Sequence, residues 1–217
     1  MATAPLYIFD IDGTLTDSIP TYLKVITQVL SDIGLKDIDT DYDNYLHHTD
    51  LYALQYNYER NFKKPTPENL KYELDELLEQ GLLKEAPVKE IPGARATLLA
   101  LQERKIPFAY GTGAFPKATA VKMKHTQMPF IEEVLATSLN SVSRVGFVKQ
   151  AIAKAMAYYQ QDHFTKIIAV GDGVWDLKAA QELDIDFIGV GIKNKEAMLD
   201  LGCTTWIEDL RHFPIQP

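Results

Sequence analysis

The sequence predicts an α/β protein: a Rossmann-like, doubly wound parallel sheet forms the core domain, and a small all-helical domain is inserted after the first strand. Two observations lead to this fold class. Four short apolar runs alternate with segments of helical spacing over most of the chain. Strand and helix in alternation produce a parallel sheet covered on both faces. A long stretch after the first run carries helical patterns only, which indicates the insertion.

The four apolar runs are the predicted strands of the sheet. They are hydrophobic without a polar alternation, which is typical of strands buried on both faces. Each is bounded by Gly, Asp or Pro, and they read LYIFDI (6–11), IPFAYG (106–111), KIIAVGD (166–172) and DFIGVG (186–191). Between them, residues 92–105 and 147–160 repeat apolar side chains at helical spacing, so we expect helices there.

The inserted region begins with an amphipathic helix. Apolar residues recur on one face from Tyr22 to Ile33. Asp17 or Ser18 is the expected N-cap, and Pro20 fits the first turn. The core domain is therefore predicted to comprise residues 1–16 and 88–217, and the helical domain residues 17–87.

Composition narrows the class of protein. Apolar residues make up 46% of the 217 positions and charged residues 24%, which is ordinary for a globular protein. No apolar run approaches the length of a membrane span, and the N-terminus lacks the pattern of a signal peptide. The single cysteine, Cys203, predicts a reducing cytoplasmic location. A net charge of -8 argues against a nucleic-acid partner. The sequence does not predict an oligomeric state.

Polar residues follow the predicted strands at the points where the strands end. Asp10 and Asp12 come directly after the first strand, and Asp172 ends the third. The carboxyl ends of parallel strands open onto one edge of the sheet, where ligands bind. Carboxylates crowded at that edge stay ionised only if a cation joins them. Oxygen ligands of this kind suit Mg²⁺.

Glycines stand beside these acidic residues and indicate a phosphate ligand. Gly13, Gly111, Gly113 and Gly173 leave backbone N–H groups open to an anion. Carboxylates for a metal, together with glycines for an anion, are typical of phosphoryl transfer.

The motifs that carry these residues resemble those of the haloacid dehalogenase-like superfamily. FDIDGTLTDS (9–18) is similar to the first motif of that family, GTG (111–113) to the second, and GDGVWDLKAA (171–180) to the fourth. The helical insertion resembles the class C1 cap, as in phosphoglycolate phosphatases and β-phosphoglucomutases.

The resemblance implies a role for each carboxylate. Asp10 is expected to be the nucleophile and Asp12 the general acid and base. The Asp10 carboxylate, the Asp12 backbone carbonyl and the Asp172 carboxylate are expected to ligate Mg²⁺, and Asp176 to support the metal. Asp17 is not expected to belong to this set.

Three further groups of residues complete the expected site. Thr112 and the N–H of Gly113 would hold the phosphoryl oxygens, although Thr112 also fits a helix cap. The lysine that usually forms the third motif is missing, and Arg144 and Lys149 are the alternatives, of which Arg144 is preferred because it precedes a helix. Within the cap, Thr49 and Asp50 are candidates for contact with the substrate.

The predicted function is a Mg²⁺-dependent phosphatase that hydrolyses a small phosphorylated metabolite through an aspartyl-phosphate. Asp12 favours a phosphatase over a dehalogenase, because a dehalogenase has no leaving alcohol to protonate. Two alternatives stay open at this stage: a phosphosugar mutase of the β-phosphoglucomutase type, and a protein that binds a phosphorylated metabolite without turning it over.

Overall fold

The computed structural model describes residues 4–215 and contains a six-stranded parallel sheet in the order β5-β4-β1-β6-β7-β8. The fold class predicted from the sequence is confirmed. The strands are β1 (Leu6–Phe9), β4 (Phe108–Thr112), β5 (Leu135–Thr137), β6 (Ile167–Gly171), β7 (Asp186–Val190) and β8 (Trp206–Ile207). The four predicted strands correspond to β1, β4, β6 and β7, whereas β5 and β8 have only three and two residues, which are too few to show a pattern.

The position of β1 in the sheet determines where the polar loops meet. It pairs in parallel with β4 on one side, where Tyr7 lies opposite Phe108, and with β6 on the other, where Tyr7 lies opposite Ile168. All four of its residues are buried. The loops that follow β1, β4 and β6 therefore emerge side by side at one edge.

Helices cover both faces of the sheet. Ser143 caps the N-terminus of the longest of them, its Oγ accepting a hydrogen bond of 3.1 Å from the Gly146 N–H. This cap starts the helix at Arg144, three residues before the predicted start. The helices of this domain are α4 (Ala94–Glu103), α5 (Pro116–Thr126), α6 (Arg144–Tyr159), α7 (Val174–Glu182) and α8 (Lys195–Asp200).

The cap is formed by three helices between β1 and α4. They are α1 (Ile19–Asp32), α2 (Asp50–Phe62) and α3 (Leu70–Lys84). Their apolar faces form one buried cluster, which includes Leu54 and Leu78 and continues onto α5 through Phe115. Part of the cap core is therefore supplied by a helix of the sheet domain.

The chain enters and leaves the cap through a short antiparallel ribbon. Its strands are β2 (Thr16–Asp17) and β3 (Lys89–Glu90), with Thr16 opposite Glu90. The predicted domain boundaries, at residues 16/17 and 87/88, fall within and next to this ribbon. No helix in residues 4–215 combines the length and the apolarity that a bilayer crossing requires.

Candidate active site

Three buried carboxylates converge at the edge of the sheet where the strands end. Asp10 follows β1, Asp172 follows β6, and Asp176 lies in the first turn of α7. One oxygen from each lies within 4.8 Å of the others. Since residues of three different elements reach the same point, this cluster depends on the topology of the sheet.

Arg144 is the cation that contacts this cluster. Its Nη1 lies 2.6 Å from Asp176 Oδ1 and 3.2 Å from Asp10 Oδ1. Of the two residues considered for the missing third-motif lysine, the structure thus places Arg144 in contact with the carboxylates. Lys149 lies exposed on α6 and does not line the cavity.

One guanidinium does not balance three buried carboxylates, and their pKa values reflect this. Burial, followed by the charge of Asp176, raises the pKa of Asp172 to about 7 and raises that of Asp10 well above its usual range. Burial also raises the pKa of Asp176. Burial opposes the charged form of Arg144, but the charges of Asp176 and Asp10 raise its pKa.

The excess of negative charge and the all-oxygen donor set fit a hard divalent cation. Asp10, Asp172 and Asp176 are the side chains that could hold it. Asp176 is the most constrained of the three, because its Oδ1 binds Arg144 and its Oδ2 accepts a hydrogen bond of 3.0 Å from the Gly173 N–H. Asp172 is held by Thr14, whose hydroxyl donates to Oδ1 at 3.3 Å.

Gly13 is required for the approach of the first loop to Asp172. Its φ is +84°, in the region that favours glycine, and a Cβ on Gly13 would collide with the Asp172 carboxylate. The glycine of the DIDGT motif therefore lets two strand-end loops lie in contact.

The loop after β4 forms the other wall of the site. Thr112 is buried and its Oγ1 accepts a hydrogen bond of 3.1 Å from the Ala114 N–H, so it does cap the turn, while it also lines the cavity. The Gly113 carbonyl accepts from the Asp50 N–H at 2.9 Å and from Ser138 Oγ at 2.7 Å. A Cβ on Gly113 would lie 2.6 Å from the carbonyl oxygen of His48.

Asp12 lies apart from the carboxylate cluster and has its own cation. Both of its carboxylate oxygens accept hydrogen bonds of 2.7 Å from Lys122 Nζ, on α5. Ser18 Oγ also donates to Asp12 Oδ1, instead of capping α1. Lys122 is not among the site residues predicted from the sequence. Its signal was its place one turn after Ala118, on the buried face of α5.

Thr49 and Asp50 join the cap to the sheet domain. Thr49 Oγ1 accepts from the Tyr52 N–H, which caps α2, and donates to the Val142 carbonyl at 3.1 Å. Asp50 accepts from the Tyr22 hydroxyl and from the Phe115 N–H. Burial raises the pKa of Asp50 to about 7.

A cavity of about 440 Å³ lies between the cap and the strand ends. Asp10, Asp12, Thr112, Gly113 and Arg144 line its floor, together with Asp172. Apolar and aromatic side chains form much of its cap side, and they are Ile19, Tyr22, Leu23, Ile26 and Tyr42.

His48 and Trp175 close one side of this cavity. Their rings stack with centroids 4.1 Å apart and planes 15° from parallel. Burial, aided by the charge of Arg144, lowers the pKa of His48, which favours the neutral form of its ring. The stack connects the linker before α2 with the first turn of α7.

Buried carboxylates, one guanidinium and the loop after β4 therefore meet beneath one cavity at the edge of a Rossmann-like sheet. The chain matches the model of the haloacid dehalogenase-like hydrolases over residues 5–184 and belongs to that family. No curated protein sequence matches the chain.

Solved structures with the same fold share little sequence with the chain. A family IA, variant 3 hydrolase of this superfamily from Entamoeba histolytica has a TM-score of 0.71 at 17% identity, over 99% of this chain and 96% of that one. A putative beta-phosphoglucomutase from Bacteroides vulgatus has a TM-score of 0.70 at 14% identity, over 97% and 86%. CbbY from Rhodobacter sphaeroides, in complex with phosphate, has a TM-score of 0.69 at 13% identity, over 95% of each chain.

Proposed function

We propose that this protein is a Mg²⁺-dependent phosphatase that hydrolyses a small phosphorylated metabolite through an aspartyl-phosphate on Asp10. The observation that carries the proposal is the convergence of Asp10, Asp172 and Asp176 with Arg144 beneath a cavity that Asp12 also lines. A nucleophile, a separate acid and base, and a cluster of carboxylates for a metal are the parts that this reaction needs.

When bound, Mg²⁺ would neutralise the carboxylates and the phosphate so that one anion can approach another. The residues to hold it are Asp10, Asp172 and Asp176, with the backbone carbonyl of Asp12. Thr112 and the Gly113 N–H are suited to bind phosphoryl oxygens, because both line the cavity beside Asp10. Arg144 balances part of the negative charge on Asp10 and Asp176.

Two proton transfers accompany the two displacements. In the first step an Asp10 oxygen attacks phosphorus, the bond to the leaving oxygen breaks, and Asp12 gives its proton to that oxygen so that an alcohol departs. In the second step Asp12 takes a proton from water, and the water oxygen attacks phosphorus. The bond to Asp10 then breaks, which releases phosphate and returns Asp12 to its protonated form.

The charges of the cavity support a phosphatase over a bisphosphate-dependent mutase. A mutase must bind a second phosphate while the first reacts. Among the described residues, the cations that line the cavity are Arg144, which is paired with carboxylates, and Lys193 on the sheet domain. The cap side instead contributes the carboxylates Asp43 and Asp50. We therefore propose a substrate whose leaving group carries no second anion.

The test is phosphate release from p-nitrophenyl phosphate with Mg²⁺ or with EDTA. We expect release by the wild type in Mg²⁺, and at least a thousandfold less release by D10N. The matched control is D17N, because Asp17 is an exposed carboxylate in the same segment, and it should keep near wild-type activity. Release by D10N at the rate of D17N would refute Asp10 as the nucleophile.

A second assay distinguishes a phosphatase from a phosphosugar mutase and from a binding protein. Addition of a sugar bisphosphate to a sugar monophosphate should not produce an isomeric sugar phosphate. Isomer formation without phosphate release would make the protein a mutase, and binding without either reaction would make it a sensor.

We also propose a reducing, cytoplasmic location, which rests on Cys203 being the single cysteine.

A further inference from the structure

Lys122 is a fully buried lysine that the mechanism above does not use. The exposed fraction of its side chain is 0%. A buried ammonium group is costly unless it is paired and hydrogen-bonded. Here Nζ lies 2.7 Å from each oxygen of Asp12 and 3.7 Å from the centroid of the Tyr22 ring. The Asp12 carboxylate and the Tyr22 ring thus hold the end of this side chain in place.

Lys122 contacts Asp12 from behind the wall of the cavity. Asp12 lines the cavity and has 18% of its side chain exposed, whereas Lys122 is not among the lining residues. Lys122 therefore meets Asp12 but not the substrate. Ser18 adds a second donor to the same carboxylate.

Tyr22 is held in turn by the cap. Its hydroxyl donates to the Asp50 carboxylate, which also accepts a hydrogen bond of 2.7 Å from the Phe115 N–H. The support of Asp12 thus extends from α5 to Tyr22 in the first turn of α1 and to Asp50 at the start of α2.

We propose that Lys122 is a positioning residue for Asp12: the ion pair holds both carboxylate oxygens so that one of them serves the leaving oxygen. The inference rests on the proposed phosphatase function. Proton transfer requires the acid within hydrogen-bond reach of the atom that it serves. An aspartate in a turn is free to adopt several rotamers, and a displacement of about 1 Å in a catalytic group is enough to lower the rate ~100-fold.

If Lys122 positions Asp12, the loss of rate on replacing Lys122 should depend on the leaving group of the substrate. An alkoxide needs the proton of Asp12 in order to depart, whereas 2,4-dinitrophenolate departs without one. Damage to the position of Asp12 therefore slows phosphoryl transfer from an alkyl phosphate and spares transfer from the dinitrophenyl ester. A general loss of structure lowers both rates alike.

The experiment measures kcat/KM of wild type and K122M on n-propyl phosphate and on 2,4-dinitrophenyl phosphate, because kcat/KM reports the steps up to departure of the leaving group. We expect K122M to lose about 10- to 100-fold on the alkyl ester, within the range of acid–base catalysis, and less than about threefold on the dinitrophenyl ester. K122R, which keeps a cation, should recover part of the loss. Equal losses on both esters would overturn the proposal.

A double-mutant cycle provides the control. On n-propyl phosphate, K122M should cost less than about threefold in the D12N background, because Lys122 acts through Asp12. A cost in D12N as large as in the wild type would also overturn the proposal. If K122M does not fold, K122Q, which keeps a hydrogen-bond donor, takes its place with the same expected pattern. A wild type that hydrolyses neither ester refutes the phosphatase itself, which is a different outcome.

Discussion

The carboxylate of Asp172 should destabilise the fold when no metal is bound, and D172N tests this directly. Its folded-state pKa is about 7, against 3.8 for an ordinary aspartate, because burial and Asp176 disfavour its charge. A folded pKa above the unfolded one means that the folded state binds the proton more tightly. Stability is then greatest below pH 3.8 and is lost as pH rises to about 7.

The size of the effect follows from the pKa difference. About 3 pKa units at 1.36 kcal/mol each give about 4 kcal/mol above pH 7, which we take as an upper limit, and about 2 kcal/mol at pH 5. Asparagine has nearly the same shape, can accept the hydrogen bond from Thr14 and does not ionise. The metal-free D172N variant should therefore be more stable than the wild type by about 2–4 kcal/mol at pH 8. At pH 5 this advantage should be smaller.

Urea unfolding in EDTA at pH 5 and pH 8 measures this difference, and the same experiment with Mg²⁺ should reduce the stability advantage of D172N at pH 8. The wild type gains ~2.7 kcal/mol when Mg²⁺ is at 100 times its dissociation constant, whereas D172N gains much less. D186N is the matched control, because Asp186 is exposed and forms only a surface ion pair with Lys166. A metal-free D172N that is no more stable than the wild type at pH 8 would refute the reasoning.

Three further predictions concern the loops and the cavity. G13A should lower the free energy of unfolding by about 1–3 kcal/mol in urea, because φ is positive and the new Cβ meets Asp172; G34A, at a glycine with positive φ but no atom within 4 Å of the added Cβ, should cost less. R144K should lower kcat/KM for p-nitrophenyl phosphate about 10- to 100-fold, because lysine does not reproduce the guanidinium contacts with Asp10 and Asp176; unchanged kinetics would contradict this role. Ethyl phosphate should be hydrolysed at least tenfold faster than 2-phosphoglycolate, because the cap side of the cavity is acidic; the reverse order would remove the charge argument.

The sequence predicted the sheet and its edge well because both depend on local patterns. Continuous apolar runs identified β1 and β6, and parallel pairing of neighbouring strands then places Asp10 beside Asp172. The approach of Arg144 to the site could also be anticipated, since a residue at the start of α6 lies at the same edge.

Contacts between distant elements could not be predicted in this way. Asp12 and Lys122 are 110 positions apart, and nothing near either residue specifies the other. The stack of His48 on Trp175 likewise depends on how the cap sits over the sheet. The sequence already favoured Arg144 over Lys149, and the orientation of α6 leaves Lys149 exposed.

The two chain connections of the cap lie side by side in the β2–β3 ribbon, at Thr16–Asp17 and Lys89–Glu90. As far as chain connectivity is concerned, the cap could therefore be replaced as a unit. A different insert with the same two ends would leave the carboxylates of the sheet domain in place. Side-chain contacts between the cap and the sheet domain restrict which inserts would be stable. Tyr22 and Asp50 belong to the cap, yet they border Lys122 on the sheet domain. A transplanted cap would have to bring equivalents of these two side chains, or the recipient would be left with a buried lysine that has lost part of its surroundings.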